Sequence, residues 1–253
     1  MSLTHRLFST RTYSIRNLSV LKCGATQVRN LFYLLDHSIP FHTPNKIHGL
    51  NDTFLRASDF QLTDADVAAE QHAFFVMRHP TRRMLSLYFD KVLGSQQLGQ
   101  IRRMMMLDPL VDLDTQTING HLKNCFAFLD ILERAMSDPD LLPRNQHWQM
   151  QTSRIGVIKQ CKLKVLLLEN LDQHLEILLQ DIVPDIAQKL AQLRAKNASV
   201  KVVKPNDLMT SELIDRCAQV YVDDQTHYFS AVEKWALVDL ETATSVDVPR
   251  LFP

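Results

Sequence analysis

Glycine is scarce in this chain of 253 residues, which has six. A G-x-x-x-x-G-K-[ST] loop spends two glycines ahead of its lysine, and no such run occurs, so a magnesium–nucleoside triphosphate cradle is disfavoured. Cysteine is sparse and scattered: Cys23, Cys125, Cys161 and Cys217 form no CxxC pair and no Cys/His cluster of zinc spacing. Free thiols in a reducing compartment are therefore expected, and no metal. An excess of either charge is lacking too. Lys plus Arg number 28 and Asp plus Glu 28, so no global field recruits nucleic acid or an anionic membrane, and any anion site must be local. No apolar run approaches the ~20 residues of a transmembrane helix. No acid precedes Asp36, and Arg6, Arg11 and Arg16 stand among Ser and Thr in the manner of a transit peptide. A loop that begins at Lys22 needs a strand before it, which leaves little to cleave. Asn17, Asn51 and Asn197 each open a glycosylation acceptor pattern, but without a secretory signal these are chance matches. No internal repeat stands out, and hydrophobic residues make up 45% of the chain, so a single domain over residues 1–253 is expected, with its core at about 12–236 and a tail at about 237–253.

What is present is an alternation of strands and helices. Residues 12–21 read as a strand and 26–37 as a helix with Val28, Leu31, Leu34 and Leu35 on one face. A long loop rich in turn formers follows, and Thr63-Asp-Ala-Asp66 has the hydroxyl and acids of a helix start. The run 72–78 (HAFFVMR) lacks alternation, as a central strand buried on both faces does. Pro80 then suits the first turn of a helix running to about 93. Further helix is expected at 96–107 and 117–136, with Met104–Met106 in the core, and 143–151 reads as a polar loop. A second buried strand covers 164–170, a helix follows it, and 207–223 is amphipathic. This order predicts a helix-rich α/β fold of P-loop-like, three-layer type, with a central parallel sheet flanked by helices.

Two strand–turn–helix junctions carry the chemistry. Lys22-Cys-Gly-Ala-Thr26 lies where a strand ends and a helix begins. Backbone N–H groups there have no helical partners, the helix dipole favours an anion, and Gly24 lets the backbone approach closely. Lys22 adds a point charge and Thr26 a hydroxyl donor. Cys23 reads as a small filler ahead of a nucleophile. At the second junction Arg78 ends the buried strand, and Ser86 lies about two turns into the next helix. Arg78 can take a phosphate bidentately beside the Ser86 hydroxyl, or close a salt bridge. Two such junctions at the carboxyl ends of strands suit a ligand with two separate phosphates.

The segments resemble motifs of the sulfotransferases. LKCGATQ (21–27) is similar to their 5′-phosphosulfate loop, with Leu21 in place of proline and Ala25 in place of Ser or Thr. VMRHPTRRMLSLYFDK (76–91) resembles their 3′-phosphate motif, with Arg78, Pro80, Arg83, Ser86, Tyr88 and Lys91 in register. His147-Trp-Gln-Met-Gln151, the 164–182 strand and helix, and Tyr221 to Asp224 resemble segments of the carbohydrate-type branch, sulfotransferase family 2. The resemblance spans about 20–230. It implies a sulfuryl transfer from 3′-phosphoadenosine 5′-phosphosulfate (PAPS) to a hydroxyl acceptor, a small molecule or glycan, with PAP as product and no metal. Lys22, Cys23, Gly24, Ala25, Thr26 and Gln27 would hold the 5′ side, and Arg78 and Ser86 the 3′-phosphate. Lys22 would also stabilise the leaving phosphate.

A base must take the acceptor proton. His48, in the loop between the two junctions, is the first candidate, and His147 is its rival; His42 comes third, and an acid such as Glu169 is next. Trp148 either stacks on a ring or packs. Eukaryotic carbohydrate members carry an N-terminal Golgi anchor; its absence here points to a soluble, cytoplasmic, bacterial relative. The alternatives are a non-catalytic nucleotide-binding protein on the same fold and a small P-loop kinase, against which the missing glycines argue.

Overall fold

Four short strands supply the frame. In the computed structural model, which describes residues 3–50, 52–94, 99–106, 117–138, 140–142, 145–193 and 203–252, they form one sheet in the order β1-β2-β3-β4. Asn51, Asn197, residues 96–98 and 107 of an expected helix, and 143–144 of the polar loop lie outside the described residues. β1 (Leu7–Ser9) pairs antiparallel with β2 (Arg16–Leu18), while β2, β3 (Ala73–Met77) and β4 (Lys164–Leu167) run parallel. The α/β expectation with a mostly parallel sheet is met. All five residues of β3 are buried, as its unbroken apolar run requires of a strand covered on both faces.

The expected strand at 12–21 is shorter in the structure, and β1 before it was not read. Asp36 accounts for its start: its Oδ1 accepts from the backbone N–H groups of Arg11 (2.8 Å) and Thr12 (3.2 Å), which holds these residues in a bend between β1 and β2. Both sheet edges are covered. Arg56 bridges to Phe8 on one side and Arg250 to Lys164 on the other.

Helices follow in chain order: α1 (Ala25–His37), α2 (Asp64–Ala69), α3 (Pro80–Leu87), α4 (Gly99–Met106), α5 (Ile118–Ser137), α6 (Ile155–Gln160), α7 (Leu171–Leu179), α8 (Ile186–Leu193), α9 (Ser211–Val220) and α10 (Val222–Ala236). Thr63 caps α2 reciprocally with Asp66, as its sequence indicates. Past Leu87 the chain does not stay α-helical but widens into a π-helical turn, Tyr88–Gly94. The segment 207–223 is not one helix: a 3-10 turn, Pro205–Leu208, precedes α9, α9 stops at Val220 because the Tyr221 backbone leaves the helical region, and α10 starts afresh.

The chain divides into two units. The first takes Met1–Arg78, Gln151–Ala198 and His227–Pro253, and the second His79–Met150 and Ser199–Thr226. The first holds the sheet with α1, α2, α6, α7 and α8. Its core joins Phe74, Phe75, Leu31, Leu166, Leu175 and Trp235, and residues read as a tail supply Ala243, Val248 and Leu251 to it. They do so because the C-terminal segment runs along β4, where Val165 donates its N–H to the Pro249 carbonyl at 2.8 Å. The second unit is helical, and Met84, Tyr88, Met105, Phe128, Trp148 and Tyr221 meet in its core. Arg216 of α9 fastens to Asp130 (2.7 Å) and Glu133 (2.6 Å) of α5.

Candidate active site

The turn ahead of α1 is built from two left-handed residues around one buried one. Lys22 has φ 67° and Gly24 φ 75°, while Cys23 between them is 2% exposed. Gly24 is required twice over. Its φ disfavours side chains, and a Cβ there would stand 2.7 Å from Leu168 Cδ1 and 3.1 Å from Leu171 Cδ2. Val28 makes the first helical bond, to the Gly24 carbonyl at 3.0 Å. The N–H groups of Ala25, Thr26 and Gln27 thus have no partner within the helix and sit at its positive end.

Gln151 ties this turn to the end of β3. The Cys23 thiol donates to Gln151 Oε1 at 2.9 Å, and the same oxygen accepts the Arg78 N–H at 2.9 Å. Gln151 Nε2 donates back to the Arg78 carbonyl at 2.9 Å, and Arg78 Nη1 donates to the Lys22 carbonyl at 3.2 Å. The circuit fixes turn and strand end together. The sequence reading assigned Gln151 no role, although it closes the His147–Gln151 segment on which part of the resemblance rests. Cys23 is the packed, hydrogen-bonded filler. Gln27 turns its side chain to Asp172 Oδ1 on α7, at 2.6 Å, so only its backbone N–H is offered at the helix start.

His48 lies over α1. Its segment, a 3-10 helix over Pro44–Leu50, is anchored by Ile47, which is fully buried, and by Asn30, whose Nδ2 donates to the Thr26 (2.8 Å) and Pro44 (3.1 Å) carbonyls. His48 Nε2 is 2.7 Å from Thr26 Oγ1, and Arg29 Nη1 donates to His48 Nδ1 at 2.9 Å. Arg29 is 6% exposed, also reaches Ser19 Oγ at 3.3 Å, and lies 4.4 Å over the Phe8 ring. Burial, and then the nearby Arg56, lower its pKa to about 10, so it keeps its proton at neutral pH. No carboxylate pairs with it among the described residues, and its Nε is buried without a partner.

Lys22, Cys23, Gly24, Ala25, Thr26, Gln27, His48 and Arg78 thus share the first unit, while Ser86 and His147 belong to the second. Ser86 is half-buried on α3. His147 follows Asn145, whose Oδ1 accepts both the His147 backbone N–H (2.9 Å) and His147 Nδ1 (2.8 Å). The backbone bond identifies that atom as the oxygen, so Nδ1 carries a ring proton. Arg83 organises this loop from α3. Its Nη2 donates to the carbonyls of Gln146 (3.5 Å), His147 (3.4 Å) and Gln149 (2.8 Å), and its Nη1 stands 3.9 Å from the buried Asp224. The Tyr221 hydroxyl donates to the Trp148 carbonyl at 2.9 Å. Trp148, at 3% exposed, packs in the core of its unit, which settles its two readings in favour of packing.

The four cysteines are buried, and no disulfide joins them. Among the described residues no group of three or more His, Cys, Asp or Glu is placed to hold a metal ion, and no helix is long and apolar enough to cross a membrane. In comparison with known proteins, the sequence model described as the Sulfotransferase family matches residues 5–224. No curated protein and no solved structure matches the chain.

Proposed function

The chain belongs to the sulfotransferase family, and from that premise we propose that it transfers a sulfuryl group from PAPS to a hydroxyl acceptor, with a carbohydrate as the favoured class. The observation that carries the proposal is the turn before α1. It gathers backbone N–H groups without helical partners, the Thr26 hydroxyl and Lys22, and the Gln151 circuit fixes it to Arg78. Each can donate to an anion, and the buried, carboxylate-free Arg29 behind them adds positive charge. When bound, the donor supplies an activated sulfuryl group whose release leaves negative charge on a phosphate.

In this reading Lys22 and the N–H groups of Ala25, Thr26 and Gln27 hold the 5′ side, and Lys22 stabilises the charge that grows there as sulfate departs. Arg78 and Ser86 hold the 3′-phosphate, which tells PAPS from ATP. His147 removes the acceptor proton as a neutral imidazole, whose Nδ1–H is held by Asn145 and whose Nε2 is then the basic nitrogen. Four cysteines without a disulfide support a cytoplasmic setting.

Steady-state turnover of radiolabelled PAPS, with slow hydrolysis as the readout where the acceptor is unidentified, tests the role of Lys22. Lys22→Ala should lower the maximal rate by about 10²-fold, the scale on which a developing anion loses one donor, with PAP affinity much less affected. PAP binding with no sulfuryl release from the unmutated chain would instead identify a non-catalytic nucleotide-binding protein, the reading that Leu21 and Ala25 favour.

A further inference from the structure

A guanidinium can only donate hydrogen bonds, so the Arg29 bond to His48 requires a lone pair on Nδ1. A neutral imidazole has one such lone pair. Nε2 therefore carries the ring proton, and the 2.7 Å contact with Thr26 runs from His48 Nε2–H to Thr26 Oγ1. Thr26 then spends a lone pair on His48 and keeps its own O–H proton, for which no acceptor is found among the described residues. That proton belongs to a hydroxyl in the first turn of α1, beside N–H groups with no helical partner.

We propose that His48 is a positioning residue, a neutral link that passes the polarisation of Arg29 to the Thr26 hydroxyl and aims its proton at the 5′ anion, rather than the base of the reaction. The proposal rests on the reading of the α1 turn as the 5′-phosphosulfate site. As a base, His48 would have to accept a proton at Nδ1, which breaks the Arg29 bond and sets imidazolium against guanidinium. As a link, it relieves a cost already in the fold. Arg29 is buried without a carboxylate, while His48 is exposed, so the histidine connects a buried cation to a site an anion can reach. Bonds in such a chain polarise one another in the same direction, from Arg29 through His48 to Thr26.

Two readouts test this. Nitrogen-15 NMR of the His48 ring at neutral pH should show the neutral Nε2–H tautomer, before and after addition of PAP. Calorimetric titration with PAP should show His48→Ala weakening binding roughly tenfold, the scale of one charge-assisted hydrogen bond. His48→Gln should recover most of that loss, because its amide oxygen accepts from Arg29 and its NH₂ donates to Thr26, although an amide cannot act as a base. In the Thr26→Ala background His48→Ala should add little further loss. An Nδ1–H tautomer or an imidazolium, with PAP binding intact, overturns the link alone. So does His48→Gln with unchanged PAP affinity and a rate about 10²-fold down, which would make His48 the base. Failure of the unmutated chain to bind PAP overturns the donor reading and the purpose of the link together.

Discussion

The side-chain amide of Gln151 engages both backbone polar groups of Arg78: Oε1 accepts from the N–H and Nε2 donates to the carbonyl, each at 2.9 Å. Gln151 is 2% exposed, and the Cys23 thiol shares its oxygen. One residue thus sets the end of β3 and the turn before α1 in register. Gln151→Leu preserves bulk but leaves these groups without their partner. Each partly buried polar group so orphaned costs about 1–3 kcal/mol. Chemical denaturation should show a loss on the order of 2–4 kcal/mol by that scale, and PAP affinity should fall with it. A variant as stable and as tightly binding as the parent would contradict the positioning role.

Arg83 lies inside the segment that resembles the 3′-phosphate motif, yet the residue is 3% exposed and its guanidinium faces three loop carbonyls and Asp224. Arg83→Met should therefore destabilise the fold by about 3 kcal/mol or more, because Asp224, fully buried, loses a cation. The expected signature is a lowered denaturation midpoint. Unchanged stability with lost PAP affinity would assign Arg83 to the ligand instead.

These two residues mark what the sequence makes legible. The strand-to-helix junctions at Lys22 and Arg78 are visible because left-handed turns select glycine and buried strands select unbroken apolar runs, both local demands. The bend ahead of β2 is not, since Asp36 holds residues 11–12 from 25 and 24 positions away. Nor is the role of Gln151, which acts 73 residues from Arg78 and 128 from Cys23. Histidine identity gives no hint of tautomer; that depends on Arg29 beside His48 and Asn145 beside His147.

His174 gives the fold a dependence on acid. Its ring stacks on Trp235 at 3.5 Å and its Nδ1 accepts the Leu167 N–H at 3.1 Å, while burial lowers its pKa from the usual 6.5 to about 4. Between these values the unfolded chain binds a proton that the native state refuses. The contribution of His174 is therefore intact above pH about 6.5 and is lost as pH falls toward about 4, up to roughly 3 kcal/mol at 1.36 per unit. NMR titration of His174 should show no protonation in the folded chain down to pH about 5. A normal titration near 6.5 would remove this contribution.

The central claim, that this chain recognises a nucleotide by both a 5′ and a 3′ anion, is tested most directly by calorimetric titration of PAP against ADP. The two differ in where the second phosphate sits. PAP should bind at least about tenfold more tightly, on the scale of one bidentate arginine–phosphate contact, and Arg78→Ala should abolish most of that preference. Equal affinity for the two nucleotides in the unmutated protein would contradict the account.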